Sequence, residues 1–152
     1  MGGTDAREIL LVEDNPDHAE MTRRALAKGG DHNVTWVKDG QEALDFLRRE
    51  GGWAEYKGDT PSVILLDIGL PKIGGRDVLK TIKEDERLRY IPVIMLTTSG
   101  DPQDVASCYN LGANSYVTKA LDFSDFMERV KAIKDYWVNT NVFPEAMAFA
   151  SA

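Results

Sequence analysis

A single carboxylate, Asp67, ends the apolar run Val63-Ile64-Leu65-Leu66 and is followed by Ile68-Gly69-Leu70-Pro71. The acidic pair Glu13-Asp14 closes a second unbroken apolar run, Ile9-Leu10-Leu11-Val12. Thr97 ends a third, after Val93-Ile94-Met95-Leu96, and Lys119 follows Tyr116-Val117-Thr118. Brought together, three carboxylates repel by roughly 4 kcal/mol per pair at about 4 Å and an effective dielectric of about 20. Such a group either takes up protons or surrounds a cation. Hard oxygen ligands suit Mg²⁺, which keeps waters and binds one or two carboxylates plus a phosphoryl oxygen. An ammonium and a hydroxyl beside them would neutralise and hydrogen-bond the other phosphoryl oxygens. In that chemistry Asp67 is the nucleophile that forms an acyl phosphate. A lone Asp can equally cap a turn, so the reading rests on these positions meeting.

The elements that would make them meet are legible. Apolar runs without alternation read as strands buried on both faces of a parallel sheet. Asn15 with Pro16, and Asp101 with Pro102, pair an N-cap with proline at the first helical position. The first helix is expected to run to about Lys28 and stop at Gly29-Gly30. Its inward stripe would carry His18, Met21 and Ala25, which places His18 at the core edge rather than as a ligand. His32 reads as part of a polar turn before the strand Val34-Thr35-Trp36-Val37. Asp39-Gly40 opens a second helix with Ala43, Leu44 and Leu47 inward, ending near Glu50. The loop from Gly51 to Pro61, with Trp53 and Tyr56, exceeds the usual link of about 2–6 residues. It reads as a contact site or as a solvated excursion. Gly74-Gly75 starts a helix through Val78, Leu79 and Ile82, and the polar stretch Lys83 to Tyr90 leads to the fourth strand. Asn114 to Thr118 forms the fifth strand, and Asp122 caps a last helix with Phe123, Phe126, Val130, Ile133 and Trp137 on one stripe. Five strands alternating with five helices, joined by right-handed crossovers, give a doubly wound α/β fold with a covered parallel sheet. Its strand ends gather on one rim, where such folds bind ligands.

Composition limits the alternatives. The chain has 152 residues, 28% charged and 43% apolar, enough for one domain over residues 1–138 and a tail over 139–152. A net charge of -7 argues against a nucleic-acid partner. The one cysteine, Cys108, excludes an internal disulfide and suits a reducing compartment. No apolar run approaches the ~20 residues of a bilayer span, and Met1 to Asp5 is unlike a signal peptide. A cytoplasmic protein without membrane contact is expected.

From Glu8 to Val138 the chain resembles the receiver domains of two-component response regulators. The resemblance rests on Leu11-Val12-Glu13-Asp14, on Leu66-Asp67 with Pro71 and Gly75, on Thr97, on Lys119, and on Tyr116 three residues before that lysine. It implies a flavodoxin-like sheet of order 2-1-3-4-5 and phosphorylation of Asp67 by a sensor histidine kinase. It further implies Mg²⁺ on Asp14, Asp67 and the backbone carbonyl of Gly69, with Glu13 acting through water. Thr97 and Tyr116 would form the switch that remodels the face of the fourth helix, fifth strand and fifth helix. Leu70-Pro71-Lys72, Leu96-Thr97-Thr98-Ser99, the extended loop before the central strand and Ala132 to Trp137 are similar to stand-alone regulators of bacterial and cyanobacterial phytochrome kinases. A bacteriophytochrome kinase is the partner this implies.

Three positions depart from the pattern. Ala120 follows Lys119 where the family has proline after a cis bond, and a cis bond to a non-proline costs about 2.5–4 kcal/mol. Gly69 lacks the side chain that tunes hydrolysis in the family, and Thr98 replaces a smaller residue; both are expected to alter the lifetime of the acyl phosphate. With no output domain in the sequence, the signal would leave through protein contacts, a downstream phosphotransfer protein or self-association. Apolar Trp137, Val138, Val142 and Phe143, with Met127 and Tyr136 off the main stripe, suggest a two-fold homodimer built from the last helix and tail. Three other readings compete. A pseudo-receiver that binds partners without phosphorylation would leave these chemical positions without a use. A flavin carrier would need glycine and hydroxyl residues after the first strand, where this chain has Glu13-Asp14-Asn15. A dehalogenase-like phosphatase would need Asp-x-Asp there.

Overall fold

The computed structural model describes residues 7–28 and 32–144. Five strands, β1 (Arg7–Val12), β2 (His32–Val37), β3 (Val63–Leu66), β4 (Val93–Thr97) and β5 (Ser115–Thr118), alternate with α1 (Pro16–Ala27), α2 (Gly40–Arg48), α3 (Gly75–Glu84), α4 (Pro102–Asn110) and α5 (Phe123–Ile133). All neighbouring strands are parallel, in the order β2-β1-β3-β4-β5. This is the doubly wound arrangement the alternation requires.

The unbroken apolar runs divide between two cores because successive side chains on a strand point to opposite faces. Leu10, Val12, Ile64, Leu66, Val93 and Met95 face α2 and α3 together with Phe46, Val78, Leu79 and Ile82. Ile9, Leu11, Val63, Leu65, Ile94 and Leu96 face α1 and α5 with Leu26, Phe126 and Val130. Each fully buried Leu, Ile or Phe contributes about 1.5–3 kcal/mol of transfer free energy, so both faces of the strands are firmly specified. The caps form as expected: Asn15 Oδ1 accepts from the amides of Asp17 at 2.9 Å and His18 at 3.1 Å. Asp101 and Asp122 cap α4 and α5.

Several expectations are corrected. On α1 Ala25 faces the core and His18 stands half-buried at its edge as expected, but Met21 is only half-buried and the core side is completed by Ala19, Thr22 and Leu26. His32 begins β2 rather than lying in a turn. Phe123, the first residue of α5, is 55% exposed and is not part of the core stripe. At the far end of α5, Lys134–Val138 forms a π-helical turn, with the Asn139 amide on the Lys134 carbonyl at 3.1 Å. The wider turn shifts the inward phase by one residue. Val138, not Trp137, therefore enters the core at 5% exposure, while Trp137 is only partly buried.

The loop after α2 is largely exposed to solvent but anchored, with Trp53 and Tyr56 half-buried against the core. Arg49 caps α2 in the left-handed region (φ 57°), and its guanidinium lies 4.8 Å from the ring centres of both Phe46 and Tyr56. It donates to the carbonyls of Phe46, Gly58 and Asp59. Trp53 meets Phe46 edge-on at 4.8 Å and donates to Glu42.

Candidate functional site

Register assembles the site. Val12 pairs with Leu66, so the next residues on each strand, Glu13 and Asp67, leave the sheet side by side. The Asp67 amide donates to the Val12 carbonyl at 3.2 Å. Thr97 pairs with Thr118, and the Lys119 amide donates back to the Thr97 carbonyl at 2.7 Å. Gly75 is required here: a Cβ would lie 2.1 Å from the Asp67 carbonyl oxygen. Only glycine lets α3 begin against the loop that carries Asp67.

Glu13, Asp14 and Asp67 each present an oxygen, all within 4.8 Å of one another. Lys119 Nζ lies 2.6 Å from Glu13 Oε1 and 2.7 Å from Asp67 Oδ2. The Lys119 and Glu13 side chains are 3% and 2% exposed, whereas Asp14 is open to solvent. Burial pushes the Glu13 carboxyl up, only partly offset by Lys119, and its net position is above the usual range. Burial also pushes Asp67 up. There the hydrogen bond and charge of Lys119, with help from the Thr97 hydroxyl and the Gly69 amide, prevail and hold the carboxyl below its ordinary value. Lys119 thus favours the ionised form of Asp67. Two buried acids and a solvent-facing third, with one ammonium between them, form a donor set that fits a hard divalent cation beside a phosphoryl group.

The peptide bonds here are trans, including Lys119–Ala120, which settles the question raised by the missing proline without strain. Thr97 is buried, and Thr98 and Ser99 line the same pocket. A Cβ on Gly69 would meet nothing within 4 Å, so a larger residue fits there. Tyr116 is half-buried, and its hydroxyl donates to the Ser99 carbonyl at 2.8 Å. The Ser99 hydroxyl donates to Asp104 Oδ2 at 2.5 Å, and Asp104 is ion-paired with Arg76 of α3. This link between the β4–α4 loop, α3 and β5 carried no signal in the sequence. Trp36 Nε1 donates to the Glu13 carbonyl at 2.7 Å. His18 also lines the pocket, with Nδ1 3.0 Å from Lys119 Nζ.

The residues expected to make a dimer diverge. Val142 is 89% exposed and Tyr136 is exposed beside Trp137. Phe143 packs beneath Arg7, 4.6 Å from its guanidinium, and Val138 is core within the protomer. The rest of the expected tail, residues 145–152, lies outside the described residues.

Residues 9–131 match the response regulator receiver domain. The chain belongs to the response regulator receiver family. Among curated members of this family, a probable methanogenesis regulatory protein, FilR2 of Methanothrix harundinacea, is 45% identical over 138 residues, covering 90% of this chain and 86% of that protein. The response regulator Rcp1 of Synechocystis sp. is 39% identical over 140 residues, covering 91% of this chain and 93% of Rcp1. The phosphorylated cyanobacterial phytochrome response regulator RcpA superposes with a TM-score of 0.88 at 40% identity, covering 92% of this chain and 99% of that one. The Mn²⁺-bound form of Rcp1 has a TM-score of 0.86. Receiver domains bind divalent metal, and Glu13, Asp14 and Asp67 here form an acidic cluster whose oxygens are close enough together to hold one. No helix among the described residues is long and apolar enough to cross a membrane.

Proposed function

We propose that Asp67 accepts a phosphoryl group from the phosphohistidine of a sensor histidine kinase, in a reaction that requires Mg²⁺. The observation that carries this reading is the Asp67 carboxylate at the strand end, 2.7 Å from Lys119 and beside Glu13 and Asp14. An Asp67 oxygen attacks phosphorus, and the new O–P bond forms as the donor P–N bond breaks. The electron pair of that bond stays on the donor imidazole, which takes a proton from solvent. Lys119 and the Thr97 hydroxyl stabilise charge on the transferring oxygens, an electrostatic contribution made by groups already in place. Asp14, Asp67 and the Gly69 carbonyl would hold Mg²⁺, with Glu13 acting through water, and the ion when bound supplies positive charge to the phosphoryl oxygens. Movement of Thr97 toward the phosphoryl group pulls on the loop that also carries Ser99. Tyr116 is bonded to that loop, so the added charge biases a two-state element.

Similarity to RcpA and Rcp1 supports a phytochrome-type kinase as the phosphodonor, a cytoplasmic setting, and output through partner contacts, a downstream phosphotransfer protein or a homodimer. Exposed Val142 and Tyr136, with part-buried Trp137 and Phe143, support the dimer. Incubation with acetyl phosphate and Mg²⁺, read by intact-mass spectrometry, should add one phosphate to the wild type and none to Asp67→Asn. A wild type that gains no mass overturns the reading. Light-dependent transfer from a bacteriophytochrome kinase tests the choice of donor. Full-length protein should sediment as a dimer and a chain truncated after Asn139 as a monomer; a monomeric full-length protein, or a truncated chain that stays dimeric, counts against a dimer built from the last helix and tail.

A further inference from the structure

Lys119 carries three N–H donors, and the structure accounts for all of them: Glu13 Oε1 at 2.6 Å, Asp67 Oδ2 at 2.7 Å and His18 Nδ1 at 3.0 Å. The third acceptor comes from α1 and lies 101 positions away in sequence. An ammonium cannot accept a hydrogen bond, so His18 must accept through Nδ1 and carry its own proton on Nε2. A hydrogen bond of this kind requires the neutral tautomer of the imidazole, with its proton on Nε2. Burial, followed by the charge of Lys119, draws its pKa down, against the opposing pull of Asp67, Asp17 and Asp14. The His18 backbone is held by its amide, which donates to Asn15 Oδ1 at 3.1 Å, and the ring lies beside Phe126 of α5, with centroids 6.1 Å apart and planes tilted by 39°.

We infer that His18 is a positioning residue for phosphoryl transfer, holding the Lys119 ammonium over Asp67 through the Nδ1 hydrogen bond. This inference rests on the proposed phosphorylation of Asp67. Glu13 and Asp67 draw Nζ toward the acidic side of the site, and the His18 contact balances them from α1. A third acceptor on the α1 side fixes the direction in which the remaining charge faces. When a phosphoryl oxygen takes the place of the Asp67 contact, the His18 and Glu13 bonds keep the ammonium where that oxygen arrives. This is positional control of the kind that separates aligned from misaligned reactants.

The tautomer is read directly by ¹⁵N NMR of histidine-labelled protein, which contains only His18 and His32. The resonances of His18, assigned by their loss in His18→Leu, should show a bare Nδ1 and a protonated Nε2. Protonation at Nδ1 overturns the inference whether or not Asp67 is phosphorylated. The rate of Asp67 phosphorylation by acetyl phosphate with Mg²⁺ should fall on the order of tenfold in His18→Leu. His18→Gln, which offers an acceptor oxygen, should recover most of that rate. In a Lys119→Met background, His18→Leu should produce no further loss, because its effect runs through the ammonium. Equal rates for wild type and His18→Leu, or an undiminished His18→Leu effect without Lys119, refute the inference. A wild type that fails to gain phosphate refutes the phosphorylation reading instead and leaves the tautomer measurement standing.

Discussion

Replacing Lys119 by Met should expose how strongly the acidic centre depends on one ammonium. The variant keeps the length of the side chain but removes the donors at 2.6 Å from Glu13 and 2.7 Å from Asp67. Both carboxylates then stay in a site where the lysine and glutamate side chains were 3% and 2% exposed. Removing one partner of a buried ion pair costs about 3–5 kcal/mol, because the remaining charge loses its compensation. Against a total of about 5–15 kcal/mol for an ordinary domain, that is a large fraction, and Tm should drop by about 10 °C. Without the lysine, the folded-state pKa values of both acids rise above their unfolded values. The folded variant then binds more protons than the unfolded chain. Its deficit is small below the ordinary carboxylate range of about 4 and grows as pH rises through the raised pKa values. A divalent cation among the three carboxylates should restore much of the loss, about 2.7 kcal/mol at roughly a hundred times its Kd. The assay is urea unfolding followed by tryptophan fluorescence, with chelator and with Mg²⁺, at neutral and mildly acidic pH. A variant as stable as wild type at neutral pH in chelator, or one that metal does not rescue, would refute the assignment of Lys119 as the counter-charge.

Gly75→Ala puts a methyl group 2.1 Å from the Asp67 carbonyl oxygen. It should cost about 1–3 kcal/mol in chemical denaturation and slow phosphorylation, since the loop bearing the acceptor must move. Asn15→Ala removes the cap on Asp17 and His18 and should lower unfolding free energy by about 1 kcal/mol, with fraying of α1 visible in amide exchange. Burial draws the Lys83 ammonium down from 10.5 to about 8, while it donates to the carbonyls of Arg89 and Ile91. Between these values the unfolded chain binds more protons than the folded one, so wild type should gain stability as pH climbs through that window. Lys83→Met should lose this gain, and a wild-type-minus-variant stability difference that stays flat from pH 8 to 10.5 counts against it.

The central strands β1, β3 and β4 were legible because they are buried on both faces, so their composition is apolar and bounded by strong turn and cap residues, whereas the edge strands β2 and β5 are half-exposed and mixed. Glu13, Asp67 and Thr97 were placed for the same reason, since each stands where an apolar run ends, and Lys119 follows the short strand β5. What sequence periodicity could not show is contact across the fold. His18 falls near the inward side of α1, and nothing local says that the ring meets a lysine from β5. Arg76, Asp104 and Ser99 read as ordinary surface polar residues, and only the approach of α3 to α4 joins them. The end of α5 was misphased because a constant 3.6-residue period was carried through a turn that is wider. That extra residue moved Val138 inward and left Trp137 half out. Phe123 matched the stripe numerically, but the first turn of α5 runs past the edge of the core.

The guanidinium after α2 has a consequence for the lineage of such chains. Arg49 ties down the far end of a glycine-containing excursion whose near end Trp53 holds, contacting two rings and the carbonyls of Gly58 and Asp59. Lysine, with no planar fork, cannot replace it. The insertion and its arginine should accordingly be inherited as one unit. Relatives that shorten this stretch are free to discard the arginine, and those that keep its full length are not.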